Sequence, residues 1–280
     1  MVDRPLEAGK RKRVSSSASI VIEDLNLFYS VRHDKLHALK DVNLEVSRGE
    51  FICILGPSGC GKSTLLYILA GLLKPSSGRI LLDGYPIDGP GADRAMVFQS
   101  DAIFPWLTVE QNIEYGPKIA KLPPAERQRI VDHYLELVDL KEVRHLYPRE
   151  LSGGMRKRVD MARAFANSPE VLLMDEPFGM LDAMTKEHLQ QSVLHIWSLT
   201  EKTVFFVTHD LEEALFLADR IVILESRPGR VHEIIPVSFE RPRRLKLKLS
   251  AEFQDMRRIL METMGNLVSY STSDGGDQNA

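Results

Sequence analysis

From Ile20 onward the chain is built of short apolar runs separated by polar turns: IVIEDLNLFY, VNLEV, FICIL, RILLDG and AMVFQ. These β-rich runs predict strands, and FICIL, apolar at every position, predicts a strand covered on both faces, as in the interior of a parallel sheet. Directly after it, KSTLLYILAGLL changes to helical spacing. Between about Thr108 and Ala166 the texture is helical throughout: VEQNIEYGPKIAKL, PAERQRIVDHYLELVDL and a helix opening at Ser152. The β/α rhythm then resumes with VLLMD, an amphipathic helix near 183–200, TVFFVTH, the helix DLEEALFLAD and IVILE. This order predicts an α/β fold, a mostly parallel sheet interrupted by an α-helical insertion at about 100–167. Residues 1–19 lack an apolar period and predict a basic, solvated tail before a domain spanning 20–240. Residues 241–280 divide into a basic connector (RPRRLKLKLS, expected to be solvated), a helix near 252–266 and a frayed end.

Composition narrows the setting. The chain has 280 residues, 44% of them apolar and 27% charged, which is the balance of an ordinary globular protein with a sizeable core. Its net charge of -3 lacks the basic field that nucleic-acid binding requires, so no nucleic-acid partner is expected. Two cysteines, Cys53 and Cys60, fall in one strand–loop segment and form no disulfide framework, which favours a reducing compartment. No apolar run reaches the roughly 18 residues of a membrane span, so work at a membrane would pass through partners.

Chemistry enters at GPSGCGKST. Gly56, Gly61, Lys62 and Ser63 fit G-x-x-x-x-G-K-[ST], placed after a strand and at the start of a helix, as that pattern requires. Backbone at Pro57, Ser58, Gly59, Cys60 and Thr64 completes a loop that can wrap a phosphate chain at a helix N-terminus. Lys62 has the reach for the β- and γ-phosphates, and the Ser63 hydroxyl suits Mg²⁺. VLLMDEP brings Asp175 to the carboxyl end of a buried strand as a second Mg²⁺ group, usually through water, with Glu176 next to it as a candidate general base. Gln99 and His209 end two further apolar strands and face the same crevice, where ligands of open α/β sheets bind. Asp210 and Glu213 form a capping-box-like start to the helix after His209. A second anion-grade helix start lies at Ser152, Gly153 and Gly154 in LSGGMRKRVDMARAF, although the chain carries one P-loop.

Taken in order, GPSGCGKST, Gln99, LSGG, VLLMDE, GMLD and His209 resemble the ATP-binding subunit of an ABC transporter, over roughly Ile20 to Val237. The resemblance implies a P-loop NTPase core with an N-terminal antiparallel β subdomain and an α-helical insertion. It implies ATP and Mg²⁺ as ligands and assigns Gln99 to the Mg²⁺/γ-phosphate region. Glu176, His209, Gln99 and Lys62 become the hydrolytic set. Tyr29 becomes the aromatic that stacks on adenine, although an ordinary core tyrosine at a strand end would look the same and Phe28 is adjacent. Ser152, Gly153, Gly154 and Asp182 are implied to act in trans, on ATP held by a facing subunit.

Finer wording, FPWLTVEQNI, LSGGM, LLMDEPFG, VTHDLEEALFLADR and SRPGR, is similar to the nitrate/sulfonate/taurine group of bacterial importers. That group implies an ATPase dimer, of two copies or of paralogues, on the cytoplasmic face of the inner membrane. Its partners would be integral-membrane permease subunits and, indirectly, an extracytoplasmic solute-binding protein. Phe104, Pro105 and Trp106 would dock on the permease, or Trp106 is simply core of the insertion. Two departures stand out: Lys157 in MRKR replaces the group's usual glutamine, and Met180 stands in GMLD where alanine is usual. The alternatives are a soluble ABC ATPase working on a macromolecular complex, an exporter's ATPase, and a P-loop kinase or GTPase. The first wants fused ATPase domains or a long coiled coil, the second a fused span, and the third leaves LSGG and His209 unexplained.

Overall fold

The computed structural model describes residues 19–31, 34–179 and 181–273. Most of the expected N-terminal tail, Met180 and the last seven residues lie outside the described residues. The chain begins with two long strands, β1 (Ile20–Val31) and β2 (Asp34–Val46), followed by β3 (Phe51–Leu55) and helix α1 (Lys62–Leu69). Strands β4 (Ser77–Leu82), β5 (Tyr85–Pro86) and β6 (Arg94–Val97) lead into three helices, α2 (Val109–Ile119), α3 (Pro124–Leu137) and α4 (Gly153–Ala166). Then come β7 (Val171–Asp175), α5 (Ala183–Thr200), β8 (Thr203–Val207), α6 (Leu211–Leu217), β9 (Arg220–Glu225) and β10 (Arg230–Pro236). Helix α7 (Ala251–Ser273) closes the described chain.

Two sheets result. An antiparallel one runs β2-β1-β4-β5, and a six-stranded one runs β10-β9-β3-β8-β7-β6. In the second, β3, β6, β7, β8 and β9 are parallel to their neighbours and only the β9–β10 pair is antiparallel. The apolar run FICIL is its middle. Phe51, Cys53 and Leu55 pack into one core with α4 and α5, while Ile52 and Ile54 pack on the opposite face with α1 and the antiparallel sheet. All five are fully buried, which explains why the run does not alternate.

The strand ends, more than the strand centres, carry the polar residues of the crevice. AMVFQ and TVFFVTH stop as strands at Val97 and Val207, so Gln99 and His209 each sit two residues beyond, in loops at the carboxyl edge. Strand β2 begins at Asp34 rather than in the VNLEV run, and β10, with mostly exposed residues on the sheet edge, carries too little apolar pattern to be seen in the sequence.

The C-terminal basic stretch differs from the expected solvated connector. Arg241 donates to Asp219 and Leu217 O and stacks 4.1 Å from the Trp197 ring centre. Arg243 is buried and donates to the carbonyls of Leu215, Phe216 and Ala218, which are the open carbonyls at the end of α6. Basic side chains here satisfy a helix C-terminus inside the protein, and burial lowers the Arg243 pKa to about 10.

Candidate active site

Loop Gly56–Gly61 joins buried β3 to α1 and turns on residues that only glycine suits. Gly61 sits at φ 95°, and a Cβ there would lie 2.7 Å from the Leu39 side chain. The Lys62 ammonium is buried and donates to Gly56 O at 2.8 Å and Pro57 O at 2.9 Å, which closes the loop on itself. Cys60 is buried beside it, and burial pushes its thiol pKa up against the pull of Lys62. A thiol so held is structural rather than reactive.

The strand-end acid meets this loop directly. Ser63 Oγ donates to Asp175 Oδ1 at 3.0 Å. Burial raises the Asp175 carboxyl above its ordinary range; Glu176 adds to the rise, while the Ser63 hydrogen bond and the lysines oppose it. A buried carboxylate of this kind is poised for a cation. The next residue, Glu176, has φ 42°, a left-handed conformation that a non-glycine residue holds at a cost of about 1 kcal/mol. Its backbone N–H donates to Val207 O at 2.9 Å, fixing the turn against β8.

That turn carries the Glu176 carboxylate to a meeting point. Gln99 Nε2 donates to Glu176 Oε2 at 3.3 Å, and His209 Nδ1 lies 3.1 Å from the same oxygen. Gln99, Glu176 and His209, remote in sequence, therefore converge on one atom at the carboxyl edge of the sheet. His209 is set by the start of α6, where Asp210 accepts from the N–H groups of Glu212 and Glu213. The expected reciprocal half of a capping box is absent: the Glu213 carboxylate accepts from Thr208 Oγ1 and pairs with Lys186 at 2.8 Å instead.

These groups line a cleft of about 540 Å³ whose walls include Tyr29, Lys62, Ser63, Gln99, Glu176 and His209. Ser58, Gly59, Gly61 and Thr64 complete its floor. Tyr29 OH lies 3.3 Å from Thr64 Oγ1, so the aromatic borders the start of α1. Gly56, Pro57, Cys60 and Asp175 stand behind the floor and shape it. Arg227 and Gly229 also line the cleft, and their one signal in the sequence is the SRPGR turn after β9. Gly229 lies so close to the loop that an added Cβ would be 2.1 Å from Cys60 O.

The second helix start is elsewhere. Ser152 caps α4 by accepting from Met155 N at 3.2 Å, and Ser152 and Gly153 are exposed and outside the cleft. Gly154 packs on Thr185, whose N–H donates to Asp182 Oδ1 at 3.0 Å. That bond holds the Asp182 carboxyl below its ordinary range. Ser152, Gly153, Gly154 and Asp182 thus share a surface distinct from the cleft of their own chain. On the helical insertion, Phe104 packs on Tyr115 (4.6 Å between ring centres) and Trp106 (5.5 Å). Trp106 is 69% exposed, so it is not insertion core.

The donor set fits a nucleotide with a hard cation. Backbone N–H groups at a helix start face the cleft beside a lysine. Among the described residues no three His, Cys, Asp or Glu side chains form a metal cage. One hydroxyl and one carboxylate, Ser63 and Asp175, are what Mg²⁺ takes from protein when phosphates and water supply the rest.

A family described as ABC transporter matches residues 39–179. The nitrate import ATP-binding protein of Synechococcus elongatus is 51% identical over 209 residues, 74% of this chain and 76% of that protein. A taurine import ATP-binding protein of Roseobacter denitrificans is 48% identical, covering 71% of this chain and 75% of its own. The aliphatic sulfonates import ATP-binding protein of Bacillus licheniformis is 46% identical, covering 86% and 92%. Among solved structures, a dimeric ATP-binding cassette in a post-hydrolysis state with ADP and Pi superposes with a TM-score of 0.70 at 33% identity, over 79% of this chain and all of that one. A P-loop cleft closed by Glu176, a second glycine-rich helix start on a separate surface and these likenesses together mean that the chain belongs to the ABC transporter family, in the group of nitrate, taurine and sulfonate import ATP-binding proteins, and is an ATPase.

Proposed function

We propose that this chain is the ATP-hydrolysing subunit of a bacterial ABC importer that takes up a small solute of the nitrate, sulfonate or taurine kind through separate permease subunits. The observation that carries it is the convergence of Gln99 and His209 on one Glu176 oxygen over the P-loop cleft, with Ser152–Gly154 left on a different face. One chain then supplies a cleft and a second, glycine-rich helix start, and two chains head-to-tail make two complete sites.

In each site Lys62 and the loop N–H groups hold the phosphate chain, Tyr29 stacks on the base, and Ser63 with Asp175 holds Mg²⁺. When bound, Mg²⁺ neutralises charge on the phosphate oxygens and orients them. Glu176 accepts the proton of the attacking water, and Gln99 and His209 orient that carboxylate and stabilise the charge that develops. Both already touch the acid, so little reorganisation precedes reaction. Ser152, Gly153, Gly154 and Asp182 of the facing subunit close over the γ-phosphate. ATP binding closes the dimer and hydrolysis reopens it.

No described helix is long and apolar enough to cross a membrane, so the force must leave through a partner. Phe104, Pro105 and Trp106 form the docking edge for the permease at the cytoplasmic face of the inner membrane, with a solute-binding protein acting from the other side. Phe104 adjoins Trp106 and Tyr115, and a contiguous exposed apolar patch is the kind that marks a partner site. The test is copurification from membranes after coexpression with the neighbouring genes. A multi-span permease that accompanies the tagged chain, and is lost in Trp106→Glu, is expected. Recovery of a nucleic-acid or ribosomal assembly instead would favour the macromolecular alternative.

A further inference from the structure

Helix α4, the helix that Ser152 opens, grips the loop that carries Gln99. Lys157 is buried (3% exposed), and its ammonium donates to Phe98 O and to Gln99 O, the latter at 3.2 Å. Its counter-ion Asp160, one turn along the same helix, is wholly buried with Oδ2 3.9 Å from the Lys157 nitrogen. Arg163 ties the other Asp160 oxygen at 2.8 Å and donates to Ala102 O at 2.7 Å, with its guanidinium 5.0 Å over the Phe104 ring. Arg156 Nε donates to Asp101 at 2.8 Å. Segment 98–104 is thus held at five places by one helix face.

Burying a lysine and an aspartate costs several kcal/mol of desolvation that an apolar pair would avoid. Burial accordingly lowers the Lys157 pKa and raises that of Asp160. What the charge accomplishes is the capture of two adjacent backbone carbonyls in a loop. A glutamine at this position would be shorter and uncharged, and could neither pair with Asp160 nor make charge-assisted bonds.

We propose that Lys157, braced by Asp160, is a positioning residue that fixes the Gln99 backbone to α4, so that the Ser152 end of the helix and the Gln99 amide on Glu176 move as one body. The grip makes closure of the facing subunit on Ser152 felt at Gln99, and it is a property of this chain's lysine. It rests on Gln99 belonging to the hydrolytic set.

The experiment is a double-mutant cycle of Lys157→Met and Gln99→Ala in the full chain, with ATP affinity, kcat and amide exchange of residues 97–101 measured for each protein. Lys157→Met should fold, since Asp160 keeps Arg163. Its ATP affinity should stay within about twofold of wild type, kcat should fall about tenfold and exchange at 97–101 should accelerate. Lys157→Gln, which keeps a donor, should fall between the two. In the Gln99→Ala background, Lys157→Met should cost nothing further. A wild-type kcat in Lys157→Met, or full additivity of the two losses, would overturn the proposal while leaving the hydrolytic role of Gln99 intact. A wild-type kcat in Gln99→Ala would overturn that role itself. If Lys157→Met lowers kcat only in step with lost melting temperature and unchanged exchange at 97–101, the residue is structural and the proposal fails.

Discussion

Two helices of this chain begin on glycines, and they begin in opposite ways. Helix α1 starts after Gly61 in a left-handed conformation with no side-chain cap, and its first N–H groups face a cleft with Lys62, Ser63 and a strand-end carboxylate. Helix α4 starts at Ser152, which caps its own helix, and the acid on its side is Asp182, whose Oδ1 is already taken by the N–H of Thr185. Both ends present the partial positive charge that anions seek. Among the described residues, only the first has an acid, an amide and an imidazole assembled beside it. Phosphate affinity and phosphate chemistry are therefore separable in the proposed dimer: the first start has Gln99, Glu176 and His209 converging beside it, and the second would act only on a site supplied by a facing chain.

Glu176 is where this contrast is most exposed to failure. Glu176→Gln keeps the shape and the contacts to Gln99 and His209 but removes the proton acceptor, so kcat should drop by about 10²–10⁴-fold. ATP affinity should remain within a few-fold of wild type, and ATP should trap a dimer visible by light scattering. Turnover near wild type would place the base elsewhere and erase the chemical distinction between the two helix starts.

Lys62→Ala tests binding at the first start. Removing a charge-assisted contact to phosphate costs about 1.5–3 kcal/mol, or roughly 10- to 100-fold in ATP affinity. Titration with a fluorescent nucleotide measures it. Unaltered affinity would mean that the loop N–H groups suffice and that α1 and α4 are alike in their grip on anions.

Legibility in the sequence tracks where the information lies. β3 and β7 match the runs FICIL and VLLMD because burial on both faces leaves no polar residue to blur their ends. The loop Gly56–Thr64 was legible because phosphate wrapping demands glycine at particular positions. Edge strand β10 was not, since an exposed edge needs no apolar pattern. Arg243 was invisible as an internal cap because its partners are backbone carbonyls, which carry no sequence signature. Arg227 was illegible for a related reason: its place beside the cleft depends on how Gly229 packs against Cys60 O, a tertiary contact between residues remote in the chain. The exposure of Trp106 was open in the sequence because an aromatic in a loop looks the same whether it folds into the core or awaits a partner.

Ser152 probes the second start in the same terms. Ser152→Ala loses the bond from Met155 N, worth about 1 kcal/mol of helix stability, which the packed α4 can absorb. The single chain should bind ATP as wild type does, because this start lies outside its own cleft. Turnover at concentrations that support dimers should fall about tenfold, since the lid on the facing site loses a donor. Loss of ATP affinity in the monomer would contradict the separation of the two starts, and unchanged turnover would reduce LSGG to a helix cap.

The smallest effect concerns the cations beside the two starts. Near α4, Arg156 is occupied, donating to Asp101 and to Leu151 O at 2.8 Å each. In the cleft, Arg227 has no hydrogen bond or ion pair among the described residues, yet it lines the wall with Gly229 and sits at φ 63°, a conformation a side-chain-bearing residue adopts at a cost. An unpaired guanidinium beside a polyanion contributes a screened attraction of about 0.5–1 kcal/mol. Arg227→Ala should therefore raise KM for ATP by about two- to fivefold with kcat unchanged, and the difference should shrink as salt rises from about 50 mM to about 500 mM. Arg156→Ala should leave ATP affinity of the single chain alone at every salt concentration, because that charge is already spent on the 98–104 segment. If the two variants respond alike, free charge does not distinguish the starts, and the contrast rests on Lys62 and the acids alone.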